Sequence, residues 1–171
     1  MTDDRLQEKL INYIQDAHAM EQNVLKMLDS MISTTKDPET LARLKQHRAE
    51  TDRHGRLLKE RLGALGQGTS LTAEVPVVVG SWFKGLADWA RPDKPGKNAR
   101  DGFVTEHLEI AAYRLLEQLA ERAGDNETAR VAREICQDEE EMARWIAARW
   151  GRFIDLTLSE ARPEPAGTAY V

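Results

Sequence analysis

Apolar residues recur near the start of the chain at steps of three and four. Leu10, Ile14, Ala17, Val24, Leu28 and Met31 form one stripe, which predicts a helix over 4–33. The stripe has one gap, and the residue that fills it is Glu21. The run "TTKDPET" then breaks the pattern. Asp37 is a good N-cap and Pro38 suits a first helical position, so a second helix starts there. Its apolar side is Leu41, Leu44, Thr51, Leu58 and Leu62, and Gly63 is its expected stop.

The chain changes character over 63–100. Two breaker clusters, "GALGQGTSLTAEVP" and "RPDKPGKN", flank the apolar and aromatic "VVVGSWFKGLADWA". This reads as a crossover containing a short extra helix or an extended piece; a lone strand would have no partner. A third helix is expected over 101–123, ended by Gly124. A fourth begins at a cap on Asp125 or Asn126 and runs to Trp150 or past Gly151 into "RFIDL". Its stripe is Ala132, Ile135, Met142, Ile146 and Phe153, and again one inward slot holds an acid, Glu139. The tail, 159–171, reads as disordered.

Four long helices, paired as two hairpins and joined by a long connection, make an all-α, ferritin-like four-helix bundle over 1–158. The 171 residues suffice for one domain with a core. A net charge of −5 argues against nucleic acid as partner, and no apolar run is long enough to expect a membrane span. The single cysteine, Cys136, rules out an internal disulfide and reads as a small buried residue. With a charged N-terminus that lacks an apolar signal core, it fits a cytoplasmic protein.

The two halves align on their acids. Glu21 to Glu50 is 29 residues and Glu109 to Glu139 is 30. In an antiparallel hairpin, residues equally far from the turn sit at equal height. Glu21 lies 14 residues before Thr35 and Glu50 lies 15 after it. Glu109 and Glu139 stand in the same relation to Gly124. Four carboxylates, one per helix, could therefore share one layer, and a pair of divalent iron or manganese ions is what would neutralise them. Stepping about 100° per residue from Glu50 puts His54 at about 40° and His47 at about 60°, so helix two offers His54 as an imidazole ligand. Helix four has none: Met142 and Ala143 occupy the positions after Glu139. Glu106, one turn from Glu109, can fill that place. The expected ligands are thus Glu21, Glu50, His54, Glu106, Glu109 and Glu139, a carboxylate-rich set with one histidine. His47, His18 and His107 read as outer or surface groups. Trp82, Trp89, Trp145 and Trp150 read as packing or interface residues.

"EHLEIAAY" at 106–113 resembles the EHxEIAxY signature of the YciE/YciF-type ferritin-like family of bacterial stress proteins. "DAHAMEQNVLKML" is similar to that family's first-helix motif through Asp16 and Glu21. "HRAETDRHGRLL" is similar to its second-helix motif through His47, Glu50, Thr51 and His54. The chain departs from the family at His18, Gln22, Ala49 and Ala143. The resemblance covers 4–155 and implies a ferritin-like bundle, a dinuclear metal site and a homodimer; it brings no established activity. Oxidation of Fe(II) or handling of oxygen or peroxide in stress protection is the function expected of such a site. The competing expectation is a non-enzymatic helical interaction protein whose metal site is degenerate or absent and whose acids are solvated or internally paired.

Overall fold

In the computed structural model, residues 3–67 and 94–160 are described. They form five helices: α1 (Asp3–Thr34), α2 (Pro38–Ala64), α3 (Lys94–Arg122), α4 (Asn126–Ala147) and α5 (Trp150–Glu160). The middle of the crossover, with its expected extra helix, and the tail beyond Glu160 lie outside the described residues.

Packing fixes the topology. One apolar cluster joins Leu10, Ile14 and Met20 of α1 to Leu58 and Leu62 of α2, Tyr113 and Leu116 of α3, and Ala129 to Cys136 of α4. A second joins Val24, Leu28 and Met31 to Leu44, Ala99, Met142, Ile146 and Phe153. Helices α1 and α4 therefore run from the first cluster to the second, while α2 and α3 run the other way. Each hairpin is antiparallel, α1 lies beside α3 and α2 beside α4. This up-down-down-up order is the one a long crossover permits.

Local chemistry sets most helix ends as expected. Asp37 accepts from the Thr40 amide at 3.0 Å, and Pro38 occupies the first turn. Asp125 caps α4 by accepting from the Thr128 amide at 2.9 Å. Gly124 adopts φ 73°, a left-handed conformation that a side chain resists. Three ends differ. Helix α2 runs past Gly63 to Ala64; the turn falls on Gly66 at φ 77°, and the Gln67 amide closes on the Leu62 carbonyl. Helix α3 starts at Lys94, seven residues ahead of the expected Asp101, so the crossover is shorter than 63–100. Pro95 costs nothing in a first turn, where its missing N–H has no helical partner. The Gly96 amide donates to Thr157 Oγ1 at 2.9 Å, a partner supplied by α5. The fourth helical segment breaks at Ala148 and Arg149, and α5 then continues through Ser159 and Glu160, which were expected to belong to the tail. Phe153 anchors α5 in the second cluster, and Trp150 packs edge-on to Phe103 of α3.

The Asp37 cap is also paired to Arg152 of α5. Asp37→Ala should therefore lower stability by about 0.5–2 kcal/mol, read as a drop in thermal midpoint; an unchanged midpoint would show that the α1–α2 turn is held by other contacts.

Candidate metal centre

Between the two apolar clusters lies a polar layer. It is built from Glu21 of α1, His47, Thr51 and His54 of α2, Glu106 and Glu109 of α3, and Glu139 of α4, all essentially inaccessible to solvent. The spacings explain the convergence. His47, Thr51 and His54 follow Leu44 and precede Leu58 on one helical face, and Glu106 and Glu109 are one turn apart on α3.

Two groups of potential ligand atoms emerge, each with its atoms within 4.8 Å of one another: Glu21, His54 and Glu139, and His47, Glu106 and Glu139. Glu139 belongs to both. His54 Nδ1 is 2.9 Å from Glu139 Oε1 and 3.8 Å from Glu21 Oε2. His47 Nε2 is 3.2 Å from Glu106 Oε2 and 3.5 Å from Glu139 Oε2. These approaches are close, yet none is aligned as a hydrogen bond. Glu21 Oε2, His47 Nε2, His54 Nδ1, Glu106 Oε2 and both oxygens of Glu109 and of Glu139 have no hydrogen-bond partner among the described residues. Buried polar atoms ordinarily find partners. Here carboxylate oxygens and imidazole nitrogens face one shared space, an arrangement that suits a bound cation once the imidazoles give up their inward protons.

The far side of each imidazole is held. His54 Nε2 lies 2.9 Å from Asp138 Oδ2, and His47 Nδ1 lies 3.2 Å from Glu50 Oε2. Arg53 holds Asp138; Arg43 and Gln46 hold Glu50. A carboxylate behind an imidazole fixes which nitrogen faces inward. Tyr113, fully buried, donates its hydroxyl to Glu21 Oε1.

Electrostatics reflect the crowding. Burial pushes the carboxyls of Glu21 and Glu109 up, Glu109 far up because Glu139, Glu21 and Glu106 add repulsion. Burial likewise lifts Glu139 to about 7, against the opposing pull of His54. For the imidazoles, burial alone would lower the pKa, but surrounding carboxylates overcome it. Glu106 and Glu50 raise His47 to about 10; Asp138, Glu139 and Glu21 raise His54 to about 11. The hydrogen bond to His47 drops Glu50 to about 2, and the one to His54 lowers Asp138. Without metal, two imidazolium ions and protonated carboxyls thus keep the layer from flying apart.

Of the six residues expected as ligands, Glu21, His54, Glu106, Glu109 and Glu139 meet in this layer. Glu50 does not join them. Its side chain is 21% exposed and points to Arg43, Gln46 and the outer face of His47. His47, expected as an outer group, is inside, so the layer carries two histidines and not one. Sequence spacing contained the signal: His47 and His54 are seven residues apart, two turns on one face. Asp138, a neighbour of Glu139 in an acidic run, takes the outer position behind His54. Cys136 is buried as expected, and burial raises its thiol to about 11.

Similarity to known proteins agrees with this architecture. A protein from Xanthomonas campestris pv. campestris shares 29% identity over 91% of this chain and 97% of its own, with a TM-score of 0.75. The Escherichia coli stress protein YciF matches at 15% identity and TM-score 0.73, covering 88% of this chain and 97% of its own. A Desulfovibrio desulfuricans bacterioferritin, a structure described as showing a diiron site in different catalytic states, matches at 17% identity and TM-score 0.68 over 100% of this chain and 99% of its own. The fold is the ferritin-like helical bundle. The family model described as a domain of unknown function (DUF892) matches residues 5–156, and the chain belongs to that YciF-like family.

Proposed function

We propose that this protein binds two divalent ions, iron or manganese, in the polar layer and, loaded with iron, oxidises Fe(II) at the expense of oxygen or peroxide, as a stress-protective protein would. The observation that carries this reading is the convergence of unpartnered buried ligand atoms from all four bundle helices. Four glutamates balance two divalent charges. The donor set, four carboxylates and two imidazoles, has the same composition as that of ferritin-like di-iron and di-manganese carboxylate proteins. The diiron site ascribed to the bacterioferritin of like fold supports the same assignment. Carboxylate-rich sets of this kind favour iron and manganese over zinc.

Glu21 and His54 would hold one ion, His47 and Glu106 the other, and Glu139 stands within reach of both. Glu109 brings two free oxygens to the same space. Asp138 and Glu50 keep Nδ1 of His54 and Nε2 of His47 facing inward. Tyr113 steadies Glu21. A bound iron pair would supply the electrons that reduce oxygen or peroxide. The reading as an interaction protein with solvated acids has less support, because Glu21, Glu109 and Glu139 are buried.

Two outcomes test the reading. Glu21→Ala and Glu109→Ala should each abolish tight Mn(II) or Fe(II) binding in calorimetric titration while the helical circular-dichroism signal persists; retained affinity in both variants would sink the assignment. The second concerns pH. In metal-free protein the Glu139 carboxyl, at about 7 against an ordinary value of 4.5, keeps its proton in the fold where the unfolded chain has lost it. His47 and His54, at about 10 and 11 against 6.5, do the same at higher pH. The folded state therefore binds more protons, and stability falls as pH rises from about 5 to 9. Metal must displace those protons. Saturating Mn(II), at about 100 times its dissociation constant, adds about 2.7 kcal/mol; it should flatten or reverse the decline in thermal midpoint and release protons on binding. A chelator-treated protein that grows more stable across that range contradicts the assigned charge states.

A further inference from the structure

Beside the polar layer, on the side of the second apolar cluster, the bundle holds a cavity of about 180 Å³ that is partly open at the helix ends. Its wall includes Met27, Met31, Leu44, Met142, Ile146 and Phe153, with Ala99 and Gly102 leaving the room. At its inner surface is Glu106, 1% exposed, whose Oε2 has no hydrogen-bond partner among the described residues. At its outer end lie Lys36 and Glu160, both exposed. The cavity thus links the bundle's end to a carboxylate of the proposed metal centre.

We propose that this cavity is a binding site for a small uncharged apolar molecule, of the size of a single aromatic ring, held against the Glu106 side of the metal centre. The proposal rests on the metal reading and adds a class of organic ligand to it. Size supports the choice. An apolar engineered cavity of about 150 Å³ stays dry and takes up benzene, and this one is of similar volume. Chemistry supports it too. The polar lining other than Glu106, which includes Lys36, Asp37, Lys94, Asn98 and Glu160, belongs to the helix ends. Away from those ends the named wall residues are apolar, so a charged body seated against Glu106 would lose its hydration and recover few hydrogen bonds. Three methionines in the wall provide flexible, polarizable contacts that adapt to ring edges. Oxygen, also apolar, could use the same route, but it does not fill a space of this size.

The test is titration of protein carrying ¹³C-labelled methionine methyls with toluene, metal-free and Mn(II)-loaded. Met27, Met31 and Met142 should shift saturably, and Met20, packed in the other apolar cluster, should not. In the Mn(II) form the toluene signals should broaden, because the ion sits beside Glu106. Ala99→Leu, which fills the cavity, should weaken binding at least about tenfold, or about 1.4 kcal/mol. Met31→Ala, which enlarges it, should admit naphthalene, which the wild type excludes. Absence of saturable shifts in both forms, or shifts unchanged in Ala99→Leu, overturns the proposal. Manganese uptake without toluene shifts overturns it alone. Toluene binding by a chain that takes up no manganese removes the metal reading and confirms the cavity as a ligand site.

Discussion

The constraint on which this structure turns is that Glu21, Glu106, Glu109 and Glu139 are carboxylates with almost no access to water. An isolated carboxylate in an apolar medium costs so much that it ordinarily takes up a proton. Four within one layer add mutual repulsion. The molecule accommodates them by interrupting its apolar core. One cluster ends at Met20, Tyr113 and Cys136, the other begins at Val24, Ala99 and Met142, and the acids occupy the slab between. The imidazoles of α2 enter the same slab and carry the compensating charge in the absence of metal. Removing either kind of group leaves the other buried without compensation, so the layer is held as a unit.

The influence of that layer reaches the surface through pairs. His54 is tied to Asp138 and through it to Arg53, which also meets Glu134. His47 is tied to Glu50 and through it to Arg43. Both chains run across α2, and the first crosses to α4. Exposed ion pairs contribute little on their own. Here their role is orientation, since a ring that rotates loses the nitrogen that must face inward.

Much of this was legible in the sequence, and the exceptions have physical causes. Glu21 was readable because the rest of α1 keeps a strict stripe and leaves it no other side. Glu109 and Glu139 follow from matched distances to Gly124. Glu50 was misplaced because the helical phase of α2 was counted from the acid itself. Counted from Leu44, Thr51 and Leu58, the centre of the face lies about 100° from Glu50. That centre falls at Thr51, and His47 and His54 both lie closer to it than Glu50 does. The start of α3 was hidden for a different reason. Pro95 and Gly96 are locally breakers, and the Thr157 hydroxyl that meets the Gly96 amide comes from α5, 61 residues later. Such a contact leaves no trace in a local window.

The two hairpins are not equivalent, and the difference has a direction. Helix α2 gives two imidazoles and no inward carboxylate, while α3 gives two carboxylates and no imidazole. Yet around Glu139 the pattern regains balance: Glu21 with His54 on one side, Glu106 with His47 on the other. The near-repeat of the sequence is thus restored at the level of ligand pairs and not of single residues. What remains unequal is the surroundings. Glu21 is fixed by the Tyr113 hydroxyl amid the closed first cluster, which includes Leu10, Ile14 and Leu116. Glu106 instead borders the cavity, with its Oε2 unpartnered. A reactant can approach a buried layer only where there is space to admit it. That space lies on the Glu106–His47 side, so of the two groups of ligand atoms one is closed in and the other borders the cavity.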